Sequence, residues 1–111
     1  MPNTSRILLV DDELLVLDIT KEFLSLNLEF SIDTATSAIE GLQKLKDGVY
    51  DAVVSDYEMP EMNGIQFLKE VRKTDDIPFI LFTGRGREEV AIEAINFGAN
   101  FYINKGGEPT T

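Results

Sequence analysis

Four separated places in the 111-residue chain carry side chains able to do chemistry together: the pair Asp11-Asp12, then Asp56, Thr83 and Lys105. Each follows a short apolar run: ILLV, AVVS, PFILF and FYIN, in that order. Three carboxylates held side by side repel each other, at ~4 Å by about 1 kcal/mol per pair in water and about 4 kcal/mol at an effective dielectric of 20. A divalent cation resolves that repulsion. Carboxylate oxygens with waters in the remaining positions suit Mg2+, with Mn2+ or Ca2+ as substitutes. Asp11 and Asp12 then supply carboxylates to the metal, and Asp56 shares it while keeping one oxygen free. Such an oxygen can attack phosphorus to form an acyl phosphate. The transfer needs charge neutralisation and in-line positioning more than covalent help, and the Lys105 ammonium and Thr83 hydroxyl are further stabilisers. Singly, each residue has a plainer reading: Asp12 or Thr83 as a helix cap, Asp56 as a turn residue, Lys105 as a solvated charge. Their joint placement argues otherwise.

That placement depends on the elements around them. Ile7 to Val10, Ala52 to Ser55, Pro78 to Phe82 and Phe101 to Ile103 are apolar runs too short for helices. Phe30, Ile32 and Thr34 alternate as a weaker strand. Between them lie helical patterns. Val16, Ile19, Phe23 and Leu26 form the expected buried stripe of the first helix. Ser37 with Glu40 fits a capping box ahead of Ala38, Leu42 and Leu45. Asn63 caps a third helix through Ile65, Leu68 and Val71, and Gly98 ends a fourth through Val90, Ala91, Ala94 and Ile95. Strands alternating with helices predict an α/β fold: a doubly wound, five-stranded parallel sheet with helices on both faces. Ligands of such sheets bind beyond the carboxyl ends of the strands, where the five polar residues fall.

Composition narrows the function. With no Cys and no His, disulfides, thiolate metal sites, Ser-His or Cys-His catalysis and a histidine phosphodonor are all excluded. Twenty acidic residues against ten basic give a net charge of −10, which argues against nucleic acid or an anionic membrane as direct ligand. No apolar run approaches the ~20 residues of a membrane span, and MPNTSR lacks the core of a signal peptide, so a cytoplasmic location is expected.

The stretches LLVDDE (8–13), VVSDYEMPEMNG (53–64), FILFTG (79–84) and FYINK (101–105) together resemble the receiver domains of two-component response regulators, the CheY-like family. The resemblance runs through nearly the whole chain in the family's order. It implies the strand order 2-1-3-4-5, which the residues alone do not give. It also implies that Asp56 is the phosphoacceptor, Asp12 the direct metal carboxylate, Asp11 a helper through water, and the Glu58 backbone carbonyl a further ligand. Lys105 would contact the phosphoryl group, Thr83 would move to hydrogen-bond it, and Tyr102 would report the switch. Glu58 and Arg85 occupy the positions that tune loss of the phosphoryl group. The implied partners are a histidine kinase or phosphotransfer protein as donor and an output or sensory domain, in the same longer chain or a separate one. The domain would be a self-modifying acceptor and not a conventional enzyme.

Two departures from the family pattern stand out. Gly106 follows the lysine where the family usually has Pro, and the fifth helix of the family pattern is expected to be missing or truncated. The expected organisation is therefore a receiver domain over 1–105 and a tail over 106–111 that begins a linker, a truncated helix or a further domain. Without that helix, the sheet face around Ile7, Leu9 and Ile103 should lose half its cover and favour a homodimer. Rival functions fit less well. An FMN binder of flavodoxin type would bring its phosphate against Asp11-Asp12-Glu13, and a haloacid-dehalogenase-like phosphatase needs a DxD pattern where DDE stands. A degenerate receiver acting only as an interaction module would not need all five site residues.

Overall fold

The structure, a computed structural model, describes residues 4–83 and 88–104, apart from the side chains of Thr83, Glu88 and Asn104. Strands and helices alternate: β1 (Ser5–Val10), α1 (Leu14–Ser25), β2 (Phe30–Ala35), α2 (Ala38–Asp47), β3 (Ala52–Ser55), α3 (Gly64–Arg72), β4 (Phe79–Thr83), α4 (Glu88–Asn96) and β5 (Phe101–Asn104). The five strands form one parallel sheet in the order β2-β1-β3-β4-β5. The expected order and class both hold. The register sets Val10 beside Ala35 and Ser55, and Thr83 beside Asn104, so the chain turns after β1, β3 and β4 share one rim of the sheet.

Apolar residues fill both faces of the strands, but the two faces are covered unequally. Leu8, Val10, Val53, Phe79 and Leu81 point into the larger core, closed by Ile65, Phe67, Leu68 and Val71 of α3 and by Val90 and Ala94 of α4. Phe67 and Phe79 meet edge to face at 5.5 Å between centroids. The opposite core is small: Leu9, Leu17 and Ile32, with Ile7, Leu24, Phe30 and Val54 at its margin. Here the expectation for α1 is corrected. Leu17 is its one buried residue, whereas Ile19, Phe23 and Leu26 of the expected stripe are exposed. The expected loss of cover on this face is partial. Leu9 is fully covered by α1, while Phe101 and Ile103 of β5 remain open at 63% and 45% exposure. Five strands and four helices are found among the described residues, and a fifth helix is not among them.

Local signals explain the helix ends. Ser37 accepts from the Glu40 backbone N–H, but Glu40 turns back to Thr36 and not to Ser37, so the expected box closes one residue early. Asn63 and Gln66 form the full reciprocal box at the start of α3. Gly98 takes φ +100°, the left-handed conformation that ends α4. Among the described residues no helix is long and apolar enough to cross a membrane.

Candidate functional site

At the carboxyl rim of the sheet, β1 delivers Asp11 and Asp12 while β3 delivers Asp56. Their carboxylates converge, with one oxygen of each lying within 4.8 Å of the others. Asp11 and Asp56 are buried at 6% and 7% exposure, while Asp12 faces solvent. Backbone pairing fixes the two buried acids. The Asp11 N–H donates to the Ala35 carbonyl at 3.1 Å, and the Asp56 N–H donates to the Val10 carbonyl at 2.9 Å. One Asp11 oxygen accepts the Glu13 N–H at 3.0 Å, which shapes the turn into α1. The first residue flanking that helix is Glu13, which makes no side-chain cap, so Asp12 does not serve as the cap.

An open cleft of about 450 Å³ adjoins the acids, lined by Asp12, Tyr57, Glu58, Met59, Pro60 and Asn63. Glu58 therefore shares a surface with Asp12. In the same loop Glu61 adopts φ 71°, an uncommon left-handed conformation for a residue with a side chain. Thr83 ends β4, two residues beyond the partner of Ser55. Tyr102 pairs with Leu81, packs against the larger core and buries its hydroxyl. Lys105, Arg85 and Gly106 lie outside the described residues. The structure thus brings together Asp11, Asp12 and Asp56, with Glu58 on the adjoining cleft. It places the backbone of Thr83 on the same rim and Tyr102 on a neighbouring strand.

Ser55 carries a contact that its sequence position hardly advertised. It is fully buried, and its hydroxyl donates to the Asp56 carbonyl at 2.9 Å. The available signal was a lone hydroxyl at an inward position of a strand otherwise made of Ala and Val.

Residues 7–111 match the family model described as "Response regulator receiver domain". The chain belongs to that family. This receiver domain is 36% identical over 101 residues to a "Transcriptional regulatory protein CpxR homolog" of Haemophilus influenzae, covering 91% of the chain and 44% of that relative. The receiver domain spans less than half the length of the curated relatives it matches. Among solved structures, a response regulator receiver domain protein of Clostridium thermocellum superposes with a TM-score of 0.85 at 34% identity, covering 96% of this chain and 84% of that one. The response regulator protein TrrA of Thermotoga maritima, in complex with Mg2+-BeF, gives 0.82 at 35% identity, covering 92% and 87%.

The receiver domain's donor set fits a hard cation. All the converging ligands are carboxylate oxygens, and one of the three residues is open to water. A cation placed among the three converging carboxylates would relieve their mutual repulsion.

Proposed function

We propose that this receiver domain accepts a phosphoryl group on Asp56 from a histidine kinase or a phosphotransfer protein, with Mg2+ alongside. The resulting conformational change would regulate an output or sensory domain. The convergence of Asp11, Asp12 and the buried Asp56 carries the proposal. The likeness to a structure that holds Mg2+-BeF supports it.

Exposed Asp12 would contact the metal directly. Asp11 would act chiefly through water, since one of its oxygens already serves the Glu13 N–H. Asp56 and the Glu58 backbone carbonyl would complete the protein ligands, and Mn2+ or Ca2+ would substitute for Mg2+. When bound, the metal draws negative charge from the phosphoryl oxygens. An Asp56 oxygen attacks phosphorus, the bond from phosphorus to the donor's nitrogen or acyl oxygen breaks, and that electron pair leaves with the donor. Lys105 and Thr83 would hydrogen-bond the transferred group, and Tyr102 would shift into the space that Thr83 vacates. The domain modifies itself and turns over no substrate.

The receiver unit would occupy residues 1–105, with 106–111 opening the connection onward, and would act in the cytoplasm. The open apolar residues of α1 and β5 support self-association of two copies. The deciding experiment is incubation with acetyl phosphate and Mg2+ followed by intact mass. One labile adduct is expected, absent in Asp56→Asn. An adduct that persists in that variant removes the assignment, and no adduct in the wild type leaves a module that only binds partners.

A further inference from the structure

The backbone of Asp56 is held from three directions. Its N–H is tied to β1 through the Val10 carbonyl at 2.9 Å, and its carbonyl accepts the Ser55 hydroxyl at 2.9 Å. The third constraint is Gly64. A Cβ built on Gly64 would collide with the Asp56 carbonyl oxygen, and would lie 2.6 Å from Leu81 Cδ1 and 3.0 Å from Tyr57 Cα. The Gly64 N–H also donates to the Tyr57 carbonyl at 2.8 Å, so the first turn of α3 sits directly on the peptide that follows Asp56.

Neither neighbour can yield easily. Leu81 is fully buried in β4, and α3 is anchored by the Asn63–Gln66 box and by buried Ile65, Phe67 and Leu68. A side chain at position 64 would therefore be accommodated at the 56–57 peptide, whose rotation swings the Asp56 carboxylate away from Asp11 and Asp12. A polar hydroxyl spent inside the sheet on that same carbonyl points to the same function.

We propose that Gly64 and Ser55 are positioning residues for phosphoryl transfer. They clamp the Asp56 carbonyl from opposite partners and so fix the nucleophilic oxygen in its line of attack. The inference rests on Asp56 being the acceptor. Misplacement of a reacting group by about 1 Å costs on the order of 100-fold in rate.

The test measures the first-order rate of adduct formation with acetyl phosphate, at saturating donor and Mg2+ and well below the melting temperature. Wild type, Gly64→Ala and Ser55→Ala are compared. At least one folded variant should lose about ten-fold or more in that rate, and the loss should persist when Mg2+ is raised until it saturates the variant, a result that mere loss of stability does not produce. If Gly64→Ala does not fold, Ser55→Ala decides, because it removes one oxygen without adding bulk. Wild-type rates in the folded variants overturn the inference, as does a loss traced wholly to weaker Mg2+ binding. Absence of any adduct on wild-type protein instead overturns the phosphoacceptor assignment itself.

Discussion

The Tyr50 hydroxyl donates to the Asp33 carboxylate at 2.7 Å, and the same carboxylate oxygen accepts Arg6 Nη2 at 2.8 Å. Arg6 also stacks over the Tyr50 ring, 4.6 Å from its centroid. The hydrogen bond from Tyr50, with Arg6 beside it, holds the Asp33 carboxyl below its ordinary range. Partial burial, then the bond to Asp33, pushes the Tyr50 phenol up. A carboxyl lowered in the folded state contributes stability that is complete above about pH 4 and is lost as pH falls through the folded value. A raised phenol contributes below about pH 10 and loses that contribution as pH rises further. Melting temperature should therefore be flat between these limits and fall on the acid side, where Glu40 is lowered as well by the Thr36 N–H. In Asp33→Asn the acid limb should be shallower. An unchanged limb would show that the pair contributes nothing.

Arg72 reaches across the opposite rim of the sheet from the acidic site. Its guanidinium donates to the Gly98 carbonyl at 2.7 and 3.1 Å, to the Ile77 carbonyl at 2.7 Å and to Asn100 Oδ1 at 3.1 Å. Asn100 Oδ1 also accepts the Phe79 N–H, so one side chain ties the end of α3 to the start of β4 and to the turn before β5. Arg72→Ala should cost about 2 kcal/mol, the scale of lost charged hydrogen bonds. Thermal unfolding should shift down by on the order of 10 °C. Arg72→Lys should recover less than half, since an ammonium cannot fork between the acceptors.

Asp12 should be a liability without metal. Since it does not cap α1, its replacement by Ala removes repulsion without removing a cap. Metal-free Asp12→Ala should be more stable than wild type by about 1 kcal/mol. Millimolar Mg2+ should stabilise the wild type, by about 2.7 kcal/mol at a hundred times its dissociation constant, and leave the variant unmoved. Calorimetry with and without the ion checks both. Loss of apo stability in the variant would contradict the repulsion.

Phe23 of α1 is 70% exposed, with Ile19 at 59% on the same helix and Leu26 at 79% just beyond its end. Covering ~400 Å² of such surface is worth about 10 kcal/mol before entropy costs. Sedimentation should find self-association at micromolar concentration, abolished by Ile19→Lys with Phe23→Glu. A monomer at all concentrations would remove the homodimer.

The misjudged stripe of α1 shows where sequence reasoning stopped. Strand runs such as Ala52 to Ser55 were legible because they are short, apolar and bounded by polar residues. The acids that follow them were legible because strand ends dictate where they go. The first helix is apolar on several sides, through Leu14, Leu15, Val16, Leu17, Ile19, Phe23 and Leu24. Two faces therefore satisfy a 3.6-residue period. The face that is used runs through Leu17 and Leu24, with half-buried Thr20 between them, and the polar Thr concealed it. The clamp on Asp56 was hidden for another reason. Gly64 would act through the closeness of two backbones, which no residue pattern records, and Ser55 offers only its lone inward hydroxyl.

The Arg72 tie and the Arg6–Asp33–Tyr50 group both lie toward the amino ends of the strands, while the acids lie at the carboxyl ends. Defects at the two ends should therefore have different fates in a cell. A lesion at Arg72 should lower the steady-state amount of protein, because quality control removes chains that open more often. A lesion at Asp12 should leave abundance intact, or even raise it, while the signal falls silent. Screens that score only loss of phenotype would merge these classes, and quantifying the protein beside the phenotype would part them along the axis of the strands.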